Sequence, residues 1–282
     1  FKEAFIDKLS VSGQISSQIK LDVSADNFKY YLGDNYDLED KKIIERYKNY
    51  NGMDGNTPLS FTTSYEIASL IRRGFIVGNF QGKSEYGPRA LGNRSILADA
   101  RNPKMRNYIN SKVKHREIFR PFAPAILEEF SEKYFDINYS PYMLQVAKSK
   151  EEKKIPSAIH VDKTARVQTV NEKQNKKFYS IIKEFYKQTN VPVILNTSFN
   201  DAGEPLVETP LDAILCYLKT KIDYLVLDNV LIDKKKQINI KKKIKKLEIL
   251  RSKDILKKEK KSIKILTKNF SFKEFNKKEK KE

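Results

Sequence analysis

Between Thr63 and Ile232 the chain alternates stretches whose apolar residues recur at helical spacing with short β-branched or aromatic runs. Ile67, Leu70 and Ile71 fall on one face of a helix that Thr63 or Ser64 caps and Gly74 stops. Phe75–Phe80 reads as a short strand. Pro103 suits the first turn of a helix reaching about Val113, and Phe122–Leu127 reads as a second strand. Phe178, Ile181, Ile182 and Phe185 share one side of a helix over 178–189, and Val191–Leu195 is a compact strand after it. Thr209, Pro210 and Asp212 form a cap-then-proline helix start, with Ile214, Leu215 and Leu218 as its core face. Tyr224–Leu227 and Val230–Ile232 flank Asp228-Asn229 as a hairpin. The alternation predicts an α/β or α+β domain over 61–233, and no repeat at solenoid spacing interrupts it.

The flanks differ. Residues 1–60 are rich in Asp, Asn, Ser and Tyr without sustained periodicity, and read as a linker or the remnant of an upstream unit. The first residue is Phe1, so a fragment or processed product is expected. Glu128, Glu129 and Glu132 form an acidic patch, and the charged run Lys148–Lys154 reads as a surface loop. Net charge is +19, yet residues 234–282 hold 21 Lys and Arg against 6 Asp and Glu. The body is therefore only mildly basic, and the whole-chain charge does not by itself mark a nucleic-acid binder. The tail's Leu247, Leu250 and Asp254 start a weak helical stripe. It reads as a solvated extension, with contact to nucleic acid or an anionic membrane surface as the other readings. No run reaches the length of a membrane span and no signal pattern opens the chain. The lone Cys216, in an apolar pattern, predicts a buried thiol in a reducing, cytoplasmic protein.

Candidate chemistry concentrates between Glu85 and Pro124. Arg89, Arg94, Lys114, Arg116 and Arg120 sit there beside turn formers such as Gly87-Pro88, Gly92-Asn93 and Arg120-Pro121, rather than at solvated helical spacing. Arginine on such turns presents an always-charged donor fork suited to phosphate or carboxylate. A neighbouring stretch, Gly78 to Ser84, imitates a phosphate-binding loop. It fails because three residues, not four, separate its glycines and Pro88 bars the helix that should follow.

Four separated motifs, Gly87–Ser95, Phe119–Pro124, His160-Val161-Asp162 with Arg166-Val167-Gln168, and Asn196–Asn200, occur in order. Together they closely resemble the C-terminal domain of the O-carbamoyltransferases that decorate antibiotics and nodulation factors. The resemblance covers about 60–233; Tyr31-Leu32-Gly33 resembles the end of the family's N-terminal domain. It implies a YrdC-like fold, a twisted mixed sheet flanked by helices, followed by the basic tail over 234–282. Such domains line their nucleotide cleft with K-x-R and S-x-N pairs, matched here by Lys114-His115-Arg116 and Ser198-Phe199-Asn200.

The resemblance further implies formation of carbamoyl-adenylate from carbamoyl phosphate and ATP with Mg²⁺, for transfer to a hydroxyl acceptor. It puts Lys114, Arg116 and Arg120 in catalysis, and Arg89, Arg94, His160, Arg166, Asn196, Ser198 and Asn200 at the substrate and nucleotide. Structural roles compete for each. Arg89 and Arg94 could pair with Glu85 and Asp99, and the 114–120 cations could end a helix. Ser198 and Asn200 could cap a turn, and His160 could be structural. The family's transfer half is a Kae1-like N-terminal domain holding a metal through closely spaced histidines. Only His115 and His160 occur here, so that metal and the acceptor site are expected elsewhere. The rival readings are an RNA- or polyanion-binding module and a degenerate domain serving a separate transferase subunit.

Overall fold

The computed structural model describes residues 60–269, apart from 86, 88, 237 and 238; the reading of 1–60 as a linker falls almost wholly outside them. Ten strands alternate with six α-helices among these residues. They are β1 (Ser60–Phe61), α1 (Ser64–Arg72), β2 (Val77–Phe80), β3 (Arg94–Ala98), α2 (Met105–Lys112), β4 (Ala123–Leu127), α3 (Ser131–Tyr134) and β5 (Val146–Lys148). There follow β6 (Thr164–Arg166), β7 (Gln168–Val170), α4 (Lys176–Thr189), β8 (Val193–Ser198), α5 (Pro210–Lys219), β9 (Tyr224–Leu227), β10 (Val230–Asp233) and α6 (Ile240–Asn269).

Eight strands make one mixed sheet in the order β1-β10-β9-β2-β3-β8-β4-β7, while β5 and β6 form a separate antiparallel pair. β2 and β9, and β4 and β7, run parallel; the other pairs are antiparallel. Helices cover both faces, so the central strands are buried throughout, as four consecutive residues of β2 and five of β3 show. Along β3 and β8 the side chains alternate between two cores. Leu97 and Ile194 meet α1 and α4 on one face, whereas Ile96, Val193 and Leu195 join the core of α2 and α5 on the other. This is the expected mixed sheet flanked by helices.

The caps behave as their chemistry dictates. Thr63 with Glu66, and Thr209 with Asp212, close reciprocal capping boxes at α1 and α5. Asn190, at φ 57°, ends α4 in the left-handed conformation.

Three sequence readings change. Arg94 lies within a strand that the 94–98 stretch does not announce, because its cation is buried with the apolar residues around it. The charged run 148–154 is not simply a loop: Lys148 belongs to β5, Ser149 bridges Phe135, and Ile155 is fully buried. The tail is not a free extension over its first turns. It forms α6, where Leu247 is 0% exposed and Ile240, Ile244 and Leu250 pack beside the core at α5. Leucine and isoleucine at helical spacing gain enough burial there to order a lysine-rich segment. No helix among the described residues is long and apolar enough to cross a membrane.

Candidate functional site

Glu85 builds the first wall of the site. Its buried carboxylate accepts the backbone N–H groups of Leu91 at 2.7 Å, Asn93 at 2.7 Å and Arg94 at 3.2 Å, folding the 85–94 loop around itself. Burial pushes this carboxyl's pKa up, while the backbone hydrogen bonds pull it down. The loop's carbonyls are claimed as well: Asn196 donates to Ala90 (3.1 Å), Gln168 to Leu91 (3.0 Å) and Asn79 to Gly92 (2.7 Å). Gly92 adopts φ +119°, and a Cβ there would lie 2.5 Å from the Phe178 ring, so only glycine fits. Arg89 is partly exposed.

Asn110, wholly buried on α2, organises the second wall. Its amide nitrogen donates to the carbonyls of Ile118 (3.1 Å) and Arg120 (2.8 Å), and its oxygen accepts from Arg116 Nε at 2.8 Å. Arg116 also lies over the Phe122 ring at 4.9 Å. The turn passes through His115 at φ 43°, whose Nδ1 meets Asp201 at 2.8 Å.

The end of β8 closes the third side. Lys114 Nζ donates to the carbonyls of Ser198 (2.8 Å) and Asn200 (3.0 Å) and to the Ser198 hydroxyl (3.1 Å), and it also meets Asn200 Oδ1. The two segments anticipated from the K-x-R and S-x-N pattern thus meet, with the lysine binding the turn together from behind. Burial, reinforced by Arg116, lowers the Lys114 pKa to about 7. His160, held by Thr164 at 3.0 Å, and Arg166 at the end of β6 supply the fourth side.

These walls enclose a cavity of about 500 Å³ lined by Arg89, Arg116, Arg120, His160, Arg166, Asn196 and Ser198, with Met143, Thr197 and Phe122 between them. Seven of the ten residues singled out in the sequence therefore converge. Lys114 and Asn200 stand behind the wall. Arg94 lies apart from it: its guanidinium stacks 3.6 Å from the Phe80 ring centroid and donates to the carbonyls of Gln81 (2.9 Å), Asn93 (3.2 Å) and Gly82 (3.0 Å). The suggested Arg94–Asp99 pairing gives way to Arg101–Asp99 at 2.7 Å. Gly82, in the stretch imitating a phosphate loop, turns its N–H to the Asp228 carboxylate at 3.0 Å. The sequence reading missed Asn110 and the framing role of Glu85, since an asparagine inside a helix carries no motif.

The lining is one-sided. Four guanidiniums face the cavity and no carboxylate lines it among the described residues. Burial lowers the pKa of Arg89, with Arg166 adding to the effect, and likewise that of Arg116, with Arg120 adding. Arg120 pairs with Glu117 at 3.3 Å, an exposed and weak pair, and the same carboxylate acts on Arg116. The cavity lining thus carries an excess of positive charge. No group of three or more His, Cys, Asp or Glu side chains that could hold a metal occurs among the described residues.

Nodulation protein NolNO of Sinorhizobium fredii is 45% identical over 174 residues, covering 60% of this chain and 26% of that protein. Nodulation protein NolO of Bradyrhizobium diazoefficiens is likewise 45% identical over 174 residues, covering 60% and 32%. An uncharacterized protein of Methanocaldococcus jannaschii is 42% identical over 215 residues, 73% of this chain and 34% of its own length. The chain thus spans about a third of these relatives. Among solved structures, full-length HypF in the phosphate- and nucleotide-bound form aligns with 18% identity and a TM-score of 0.42 over 61% of this chain and 23% of that one. A model for a motility-related/secretion protein matches residues 4–69, nearly all outside the described part. The model described as carbamoyltransferase C-terminus matches residues 68–234, which hold every side chain of the cavity, and the chain belongs to that family.

Proposed function

We propose that the cavity forms carbamoyl-adenylate from carbamoyl phosphate and ATP, the carbamoyl group then passing to a hydroxyl acceptor at another site. The net step consumes one water and yields carbamoyl-adenylate, pyrophosphate and inorganic phosphate. Water splits carbamoyl phosphate, its oxygen leaving with the inorganic phosphate, and the freed carbamate oxygen bonds to the α-phosphorus of ATP as the α–β anhydride breaks and pyrophosphate departs. The observation that carries the reading is the ring of four guanidiniums without a carboxylate. Both substrates are polyanions, and charge moves from the α-phosphoryl onto the departing pyrophosphate. Fixed donors in a partly enclosed site stabilise that charge without reorganising.

In this proposal Arg89 and Arg166 grip one phosphate group from the loop and hairpin sides, and Arg116 and Arg120 grip another. Asn110 keeps Arg116 aimed, and Lys114 fixes the Ser198 hydroxyl at the cavity wall. Mg²⁺ would arrive on the ATP phosphates; hydroxyls and an amide line the cavity, a donor set too weak to hold the ion alone.

The test is pyrophosphate release from ATP, measured with and without carbamoyl phosphate. Carbamoyl-phosphate-dependent release is expected, falling about 10²–10³-fold in Arg89→Ala and in Arg120→Ala with the fold intact. Unchanged turnover in both variants overturns the assignment. The lysine-rich α6 keeps a polyanion- or RNA-binding module as the second reading. That module would bind RNA with a steep salt dependence and ignore carbamoyl phosphate.

A further inference from the structure

Helix α6 reaches the anion cavity through a chain of contacts that begins with Arg251. Its Nε meets Asp212 at 2.8 Å, in the first turn of α5, and its Nη1 approaches Glu204 at 3.9 Å. Lys219, at the end of α5, bridges Glu204 (3.6 Å) and Glu248 of α6 (3.0 Å). Glu204 belongs to the loop that leaves β8, and this loop closes on itself where Val207 N–H donates to the Phe199 carbonyl at 3.0 Å. The Glu204 carbonyl accepts from Asn200 Nδ2 at 2.8 Å, which turns Asn200 Oδ1 towards Ser198 Oγ at 2.8 Å and towards Lys114. On its other side the loop is held by Asp201 against His115. The loop is thus pinned between α6 and the turn carrying Arg116.

We propose that Arg251 is a positioning residue for the cavity wall, acting through Glu204 and Asn200 on Lys114 and Ser198. The anion it serves is the phosphate-bearing substrate of the function proposed above, so the functional part of this inference rests on that reading. Five charged side chains, Glu204, Asp212, Lys219, Glu248 and Arg251, form one network with exposures between 16% and 47%. A single exposed pair contributes little, but a network anchored by the buried Leu247 holds its geometry. Loss of Arg251 leaves Glu204 with Lys219 alone and releases one side of the loop. Lys114 is 4% exposed, and its amine is held by Ser198 at the end of β8 and by Asn200 of the loop, so loosening the loop uncovers one side of it.

The experiment uses the full chain and two readouts. The first is acetylation of Lys114 by acetic anhydride, quantified by peptide mass spectrometry. Loop opening in Arg251→Ala raises its rate about tenfold, and Arg251→Lys, which keeps the charge, brings it back to within about threefold of the parent. The second is affinity for inorganic pyrophosphate by calorimetry, weakened about fivefold in Arg251→Ala and restored in Arg251→Lys. Ile71→Ala serves as the control: it lowers stability through the core on the other face of the sheet and leaves the α6 network untouched, so pyrophosphate affinity is retained at temperatures where the protein is folded. Equal Lys114 labelling in the parent and Arg251→Ala overturns the coupling, as does failure of Arg251→Lys to rescue. A parent chain that does not bind pyrophosphate sinks the anion-site reading instead, and the labelling still decides the coupling.

Discussion

Arg89 and Arg94 lie five residues apart in one motif, and their replacement should have opposite consequences. Arg94→Met keeps an unbranched apolar stem but deletes the guanidinium together with its stacking on Phe80. Three donated bonds disappear, to Gln81, Gly82 and Asn93. Hydrogen bonds to charged groups contribute about 1.5–3 kcal/mol each, and a desolvated cation over an aromatic ring adds about 2 kcal/mol. Against this, a cation that is 0% exposed carries a desolvation cost of several kcal/mol, which methionine does not. The net expectation is a loss of about 3–5 kcal/mol. At a urea m-value of about 2 kcal/mol/M, the unfolding midpoint falls by about 1.5–2.5 M. The affinity of the remaining folded protein for pyrophosphate should change little, because Arg94 does not line the cavity. Arg89→Ala should show the reverse: an unchanged midpoint and lost anion affinity. An Arg94→Met protein as stable as the parent, or one that unfolds normally but no longer binds pyrophosphate, refutes this division of labour.

Gly92→Ala combines a forbidden φ with a collision against Phe178, costing about 3 kcal/mol or more; equilibrium unfolding indistinguishable from the parent would contradict it. Lys114 has a folded-state pKa of about 7, below its unfolded value of about 10.4, so the unfolded chain binds more protons between them. Stability should therefore rise with pH from about 7 to about 9, above which buried Cys216, raised to about 12, opposes the rise; Lys114→Met should flatten the slope below 9, leaving the part due to Lys234, lowered to about 8 by burial. Equal slopes would show that Lys114 does not titrate in this window. Ending the chain after Lys236 removes Leu247 and Arg251 together and should lower the thermal midpoint by several degrees; an unaltered melt would return the segment to the status of a tail.

Periodicity alone located α1, α4, α5 and the β9–β10 hairpin, because each carries apolar spacing with a cap or a turn. Arg89, Arg116 and Arg120 were legible as residues on turns, where solvated charge has no reason to cluster, while Arg166 came only from the family motif. Arg94 shows the limit. Nothing local separates an arginine that lines the cavity from one that ties down three carbonyls, since the difference lies in residues 77–82 folding alongside it. Asn110 and Glu85 escaped for the same reason: most of their partners are backbone groups, which have no sequence signature. The ordering of α6 was hidden behind its charge, and four apolar positions outweighed the lysines once α5 offered a surface.

Strand β8 lies between β3 and β4, and both of those precede it in the chain. Until β8 inserts, the arginine-bearing loops at the ends of its neighbours have no floor, and Lys114 has nothing to bind. On the ribosome, residues 85–124 would emerge long before their central partner, carrying several unneutralised cations and two unpaired strand edges. Non-local pairing of this kind slows folding. The cavity is therefore complete only once β8 has joined β3 to β4, and a polyanion that binds it would favour the chain in which that insertion has occurred.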